Sequence, residues 1–438
     1  MRLREVLLLG VLVRVAIAPF FAHPFDVYSW YTVGESVTSG KQPLESFLVP
    51  YGYSFFLFVF PAAFAFNFLS AYTGSFTIPM SSLNPALIPG SPFTILVVPG
   101  PLFDLLVKLP LILSDLIIAL VMYKLITRHV GDERIAVSAA ALWFLNPLTI
   151  WVSSGWGMFD TLPALFTVLG LYFLLDKKFV YAGALIAMAI EMKYYAVVLI
   201  FPLLLVSWQK GRWRGLAESS GGGAAVTIIL GAPLLAETAS HFTSLVGGSA
   251  SSGLSYSGLS FWTAITLFQT GISLSLVSDV LVVALLAIAY VLMWKRSPAP
   301  DLFSASIYFG LPILLLLAAF RFVGENYFVW ILPFAAIVAS RGGRYRVLFW
   351  AMSIVALLSS MTDSLLPYYM LPIAPWIGAS LVSLLGSVAP YRVAPGGSVT
   401  QAISLGKVYL SVVGVSATAI LVLTAREWLR ELRANLGL

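Results

Sequence analysis

Long uncharged apolar runs recur from one end of this chain to the other, and they restrict the solvents in which it can fold. A bilayer-spanning helix needs about 20 mostly apolar residues. Stretches of that character lie at 3–22, 102–123, 135–153, 158–175, 179–193, 194–208, 215–236, 273–294, 302–320, 327–340, 347–361, 370–388 and 406–425. The shorter ones would have to merge, tilt or thin the bilayer. Composition agrees: 60% of the 438 residues are hydrophobic and 10% are charged, against about 25% charged in soluble domains. Too few polar residues exist to coat soluble domains, which excludes a water-soluble enzyme and intrinsic disorder. A porin-type barrel is excluded too, because its strands would read as short alternating segments. The expected fold is all-α, a polytopic bundle of about 11–13 transmembrane helices. Its domain plan is a catalytic module over 1–388, with a first external loop at 23–101, followed by a linker and last helix over 389–438.

The formal charge of +6 could suggest a nucleic-acid partner, but the placement of the charges argues for topology instead. Arg2, Arg4, Lys124, Arg128, Arg134, Lys177, Lys178, Lys210, Arg212, Arg214, Lys295, Arg296, Arg341, Arg344 and Arg346 make fifteen basic residues in one set of loops. The opposite set holds Lys41 and otherwise only residues at the membrane edge. Basic loops stay cytoplasmic, so the N-terminus is expected inside and nucleic acid is not expected as a partner. Thirteen crossings would leave Arg426, Arg430 and Arg433 outside, so the side of the C-terminus stays open. Segment 51–72 is expected along the outer interface or re-entrant, with two crossings through 24–101 as the alternative. A second polar stretch, 237–260, falls outside. The chain has no cysteine, which excludes disulfides, zinc–thiolate sites and iron–sulfur clusters. His129 and His241 lack metal-ligand spacing and His23 stands alone.

Ionisable residues at membrane depth are expensive and mark functional sites, although each also has a structural explanation. Asp26 follows the first helix among aromatics, a setting that should desolvate it, raise its pKa and suit it as a general base. Alternatively it caps a helix beginning at Val27. Asp160 ends the turn Gly155-Trp156-Gly157-Met158-Phe159-Asp160, where it could equally cap the next helix. Lys193 could hold a phosphate as a point charge, or snorkel to the interface with Glu191 as partner. Arg321 could bind phosphate through its fork, or pair with Glu325. Lys108 and Asp115, seven residues apart on α-helical sequence, read as interhelical partners. Arg14 needs a buried partner, and Asn146-Pro147 should open the helix that precedes it.

In this order the residues resemble the C-type (GT-C) integral membrane glycosyltransferases. The resemblance is carried by Asp26 directly after helix 1, Trp30, Tyr31, Gly40 and Pro43 behind it, and Pro50-Tyr51 opening an apolar segment. It continues through LVKLPLILSDLIIALVMYKL, NPLTIWVSSGWGMFDTL, GALIAMAIEMKYYAVVLIFPLLL and NYFVWILPF, and covers about residues 1–340. The first and last of these features are similar to glycosylphosphatidylinositol mannosyltransferases. The GWGMFD turn is nearer to bacterial and archaeal relatives and to lipid-linked-oligosaccharide glucosyltransferases. The family's usual pair of acids after helix 1 is reduced here to Asp26 alone.

The resemblance implies a helix bundle with interfacial helices in the first external loop. It also implies an inverting transfer of a sugar, mannose by resemblance, from a polyprenyl or dolichyl monophosphate donor. The acceptor would be a glycan, lipid-linked or protein hydroxyl at the external or luminal face, and no metal cofactor would be needed. Asp26 would be the base, and Lys193 and Arg321 the phosphate contacts. Tyr31, Trp156, Asp160, Glu325, Asn326 and Tyr327 would be substrate-binding candidates. A secondary transporter or lipid-linked-sugar flippase, which often shows repeats and helices broken at midplane, is the competing class. A non-catalytic scaffold is the third.

Overall fold

A computed structural model describes residues 1–39, 53–73, 77–79, 97–231, 259–268, 274–295, 300–363, 369–373 and 399–434. Gly40, Lys41, Pro43, Pro50, Tyr51, the bulk of 237–260, most of 370–388 and the start of the 389–405 linker lie outside them. The helices are α1 (Leu3–Ile17), α2 (Pro24–Thr38), α3 (Tyr53–Thr73), α4 (Pro101–His129), α5 (Glu133–Phe144), α6 (Pro147–Ile150), α7 (Thr161–Leu175), α8 (Phe179–Met192) and α9 (Ile200–Gly231). They continue with α10 (Phe261–Phe268), α11 (Leu274–Trp294), α12 (Leu302–Ala319), α13 (Phe328–Ala339), α14 (Gly343–Asp363) and α15 (Val399–Ala434). The described exception to helix is a two-residue antiparallel ladder, β1 (Ile78–Pro79) on β2 (Val97–Val98), just ahead of α4. Among the described residues five helices are long and apolar enough to cross a bilayer, and six if a bent pair is taken as one crossing. The protein is an all-α multi-pass membrane protein.

α9 is a hairpin. Arg212 leaves the helical region at φ 53° and ψ −143°. Eight residues of continuous helix span about 12 Å, yet a Cβ on Gly215 would sit 2.4 Å from the Ser207 carbonyl. The chain therefore folds back through the basic segment 209–214, where the apolar pattern separates two helices. The returning arm lies directly on α8. A Cβ on Gly183 would meet the Ser219 carbonyl at 1.9 Å, and one on Gly222 would meet that of Val180 at 2.1 Å. Close backbone approach of this kind is how membrane helices gain packing without a hydrophobic driving force.

The break between α5 and α6 follows from Asn146-Pro147. Proline lacks the N–H that would bond to the Trp143 carbonyl, and Thr149 Oγ1 supplies that bond at 2.8 Å. The Leu148 N–H turns to Asn146 Oδ1 at 2.8 Å, which strands the Phe144 carbonyl. Arg14 fills the gap: Nη1 donates to Phe144 O at 2.6 Å, Nη2 to Thr149 at 3.2 Å and Nε to Asp115 at 2.9 Å. Arg14 and Asp115 are fully buried, so removing either partner would cost about 3–5 kcal/mol. Arg14 thus has the buried partner its position demanded, and Asp115 is interhelical. Lys108, one helical face along α4, donates to the carbonyls of Ala18 and Phe21 at the end of α1.

The basic loops gather at one end of the bundle. Arg128 pairs with Asp176 at 2.6 Å, Lys210 lies within charge range of Lys177 and Asp301, and Arg346 reaches Ser138 at 3.1 Å. Arg341 and Arg344 bind Glu431 and Glu427 at 2.7 and 2.5 Å. α15 therefore finishes at the same end as the basic loops, which settles the relation that sequence left open.

Candidate active site

At the opposite end the helix break continues into one π turn, Trp151–Trp156, closed by Gly157 in the left-handed region at φ 85°. That conformation suits glycine, which has no Cβ penalty. A Cβ here would also press on Lys108 Cε at 2.8 Å. The turn anchors the start of α2 through its carbonyls: the Trp156 carbonyl accepts from the His23 N–H at 2.9 Å, and the Gly157 carbonyl from Trp30 Nε1 at 3.2 Å. The Trp156 indole N–H then reaches Asp26 Oδ2 at 2.6 Å. His23 Nδ1 faces the same oxygen at 3.0 Å. Asp26 is therefore not a mere cap: it lies within the first turn of α2, bound from both sides and 13% exposed.

The expected upward pKa shift of Asp26 is reversed. Burial pushes it up, but the charge and hydrogen bond of His23, the Trp156 N–H and the charge of Lys193 together hold it below the ordinary carboxylate value. Hydrogen bonds and cations favour the ionised form.

Asp160 is the hub of the second half of the site. It occupies the N-cap position of α7 without making a cap bond and is fully buried. Lys193, in extended backbone at the end of α8, donates to Oδ1 at 2.6 Å. The indole N–H of Trp330 reaches that oxygen as well, and Asn326 Nδ2 donates to Oδ2 at 2.7 Å. The 3₁₀ turn Glu325–Tyr327 delivers Asn326, and the first turn of α13 delivers Trp330. The Lys193 ammonium also stands 4.9–5.3 Å from the ring centres of Phe159, Tyr327 and Trp330, a favourable cation–π setting. Trp330 is sandwiched between Tyr195 at 3.8 Å and Tyr327 at 4.1 Å. Lys193 pairs with Asp160, rather than with Glu191 as the snorkelling alternative supposed.

The structure thus brings Asp26, Trp156, Asp160, Lys193, Asn326 and Tyr327 to one end of the bundle. Buried Glu325 accepts from Ser359 at 2.8 Å. Half-buried Arg321 lies in the bend after α12, next to Phe322, whose ring meets Tyr327 edge-on at 6.1 Å. Tyr31 is placed elsewhere, packing edge-on against Phe66 and Phe103 where α2 meets α3 and α4. Sequence reasoning missed His23, Trp330 and Tyr195. His23 and Trp330 sit three and four residues from Asp26 and Asn326, one helical turn away, and that spacing was the available signal. Among the described residues no three His, Asp or Glu side chains gather as a metal set.

Comparison with known proteins gives this bundle its class, the GT-C-like integral membrane glycosyltransferases. The sequence profile of glycosyltransferase family 87 matches residues 90–319, more than half of the chain, and the protein belongs to that family. A stretch of 108 residues is also 26% identical to GPI mannosyltransferase 1 of Saccharomyces cerevisiae, covering 25% of this chain and 26% of that protein. The chain therefore aligns with about a quarter of that relative's length.

Proposed function

We propose that the protein transfers a hexose, mannose in the first instance, from a polyprenyl or dolichyl monophosphate to an acceptor hydroxyl. The observation that carries this reading is the pairing of a partly open carboxylate, Asp26, with a nearly buried lysine, Lys193, within charge range of it. Lys193 binds the donor phosphate and stabilises the negative charge that grows on it as the glycosidic bond breaks. Asp26 takes the proton of the acceptor hydroxyl while that oxygen attacks the anomeric carbon, and one direct displacement inverts its configuration. Asp26 Oδ2 accepts from the Trp156 indole and lies 3.0 Å from His23 Nδ1, so Oδ1 is the oxygen assigned to take the proton. Asp160 and Asn326 position the lysine, Tyr327 and Trp330 wall it, and Arg321 is a second phosphate contact at the rim. The basic end faces the cytoplasm, the site faces outward, and no metal takes part.

The test is to incubate purified protein with polyprenyl-phosphate-mannose or -glucose and with glycan, lipid-linked and peptide acceptors, following sugar transfer by mass spectrometry. Transfer with inverted anomeric configuration is expected, and the absence of transfer from every such donor would overturn the reading. Orientation has its own test, because the chain has no native cysteine. Ser39→Cys should react with an impermeant maleimide from outside, and Lys178→Cys only after permeabilisation.

A further inference from the structure

The bend after α12 leads into the 3₁₀ turn that delivers Asn326 to Asp160. The last carbonyls of a helix have no partner inside it. At the end of α12 they are met by residues 259–262, which open α10. Trp262 Nε1 donates to the Ala319 carbonyl at 2.7 Å, Ser260 Oγ to that of Phe320 at 2.9 Å, and the Leu259 N–H to that of Val323 at 2.8 Å. Leu259, Ser260 and Trp262 are all buried, so water does not compete for these bonds. Ser260 also caps α10, its hydroxyl accepting the Trp262 N–H at 3.3 Å, as N-cap serines do. The last described helix backs the segment. The Phe261 N–H donates to Thr418 Oγ1 at 3.1 Å, and a Cβ on Gly414 would meet the Ser260 carbonyl at 2.4 Å, so glycine is what lets α15 come this near. On the other side of the bend there is little slack before the site. Val323 is fully buried, the Gly324 carbonyl accepts the Tyr327 N–H at 3.0 Å, and a Cβ on Gly324 would lie 2.5 Å from Asn326 Oδ1. Asn326 Nδ2 then reaches Asp160 Oδ2 at 2.7 Å.

We propose that residues 259–262 form a clasp on the donor side of the site, with Trp262 and Ser260 as positioning residues. The clasp, backed by α15, fixes the bend and so the place of Asn326, and through the Asn326–Asp160 bond the place of Lys193. This rests on the glycosyl-transfer reading above, in which Lys193 takes the donor phosphate. A role in stability alone is the competing explanation, and the geometry separates the two. The Ala319 carbonyl accepts from Ser278 Oγ as well, at 3.0 Å. Trp262→Phe therefore keeps a ring in place and strands no carbonyl, and a stranded buried acceptor is the costly outcome of losing a hydrogen bond. What the bend loses is its tie to α10. Asp26 stands outside this chain of contacts, held in α2 by the Trp156 indole. Loosening the clasp thus acts on the donor and spares the acceptor.

The experiment measures KM for polyprenyl-phosphate-mannose and for the acceptor separately. Trp262→Phe and Thr418→Val should each raise the donor KM about three- to tenfold, the range of one hydrogen bond, with the acceptor KM changed less than about twofold. Thr418→Ser keeps the hydroxyl and should restore the donor KM. A double-mutant cycle with Asn326→Ala tests the route: on that background Trp262→Phe should add less than about twofold, because the residue it positions is gone. An unchanged donor KM in Trp262→Phe, an equal rise in the acceptor KM, or full multiplication of the two effects overturns the proposal. If Trp262→Phe does not fold, Thr418→Val takes its place in the cycle. A second readout needs no turnover. Hydrogen exchange over 320–327, followed by mass spectrometry, should quicken in the clasp variant as that turn opens more readily, and unaltered exchange there overturns the clasp. Failure of the unmutated enzyme to use any donor overturns the transferase reading instead, and leaves the exchange result to judge the clasp.

Discussion

The two ends of the bundle carry the same kinds of charge and treat them in opposite ways. At the basic end the cations are in water: the arginine side chains of the Arg128, Arg341 and Arg344 pairs are 54%, 38% and 64% exposed. At the other end Lys193 is 10% exposed and Asp160 is not exposed at all. Exposed pairs contribute about 0–1 kcal/mol, and a membrane protein needs such residues chiefly for orientation. A buried pair costs solvation that its own attraction only partly repays. Besides the structural pair Arg14–Asp115 at the α5–α6 break, the bundle carries that cost at the end proposed to meet a substrate, with aromatic walls and amide donors added to hold it.

Substitutions can break or sharpen this contrast, beginning with the largest effect. Asp26→Asn keeps shape and hydrogen-bond acceptance but cannot take a proton. Transfer should fall about 10²–10⁴-fold with donor binding intact, and near-normal turnover would move the base role to Asp160 or Glu325. Asp160→Ala leaves an ammonium buried without its counter-charge, so stability should drop by about 3–5 kcal/mol, read as thermal unfolding in detergent. The double variant Asp160→Ala with Lys193→Ala should be milder than the single one, since both charges are gone, and a double-mutant cycle measures the coupling. Lys193→Ala alone should lower kcat/KM with the donor about ten- to a hundredfold, the worth of a charge-assisted contact of about 1.5–3 kcal/mol. Gly157→Ala forces a side chain into a left-handed position, costing about 1–2 kcal/mol, and should impair turnover by displacing Trp156. At the far end Glu431→Gln should change stability by less than about 1 kcal/mol and leave transfer unaltered. An activity loss there would refute the division between the ends.

Much of the scaffold was legible in the sequence because its causes are local. Apolar runs set the helices, Asn146-Pro147 set the break, and the basic clusters set which turns share an end. The demand of Arg14 for a buried partner was legible as well, since an arginine inside an apolar helix has few alternatives. The hub at Asp160 was not. Its donors lie 33, 166 and 170 residues away in the chain, and no spacing rule links a turn after α6 to the end of α8 and the start of α13. The direction of the Asp26 shift was misjudged for the same reason. Its burial was visible in the surrounding aromatics, whereas the His23 and Trp156 bonds that outweigh burial appear only once the π turn and α2 are docked.

The Asp160–Lys193 bond gives the cation a resident competitor. A donor of the proposed class is a phosphodiester with one negative charge, and it must share the ammonium with a carboxylate 2.6 Å away. The lipid monophosphate left after transfer carries about −1.5 to −2 near neutral pH and contends for the same ammonium more strongly. With a donor of that class, such a site would hold its spent lipid more tightly than its fresh one. Turnover would then be throttled by the accumulating lipid phosphate, and the rate of the enzyme in a membrane would follow how quickly that lipid is cleared.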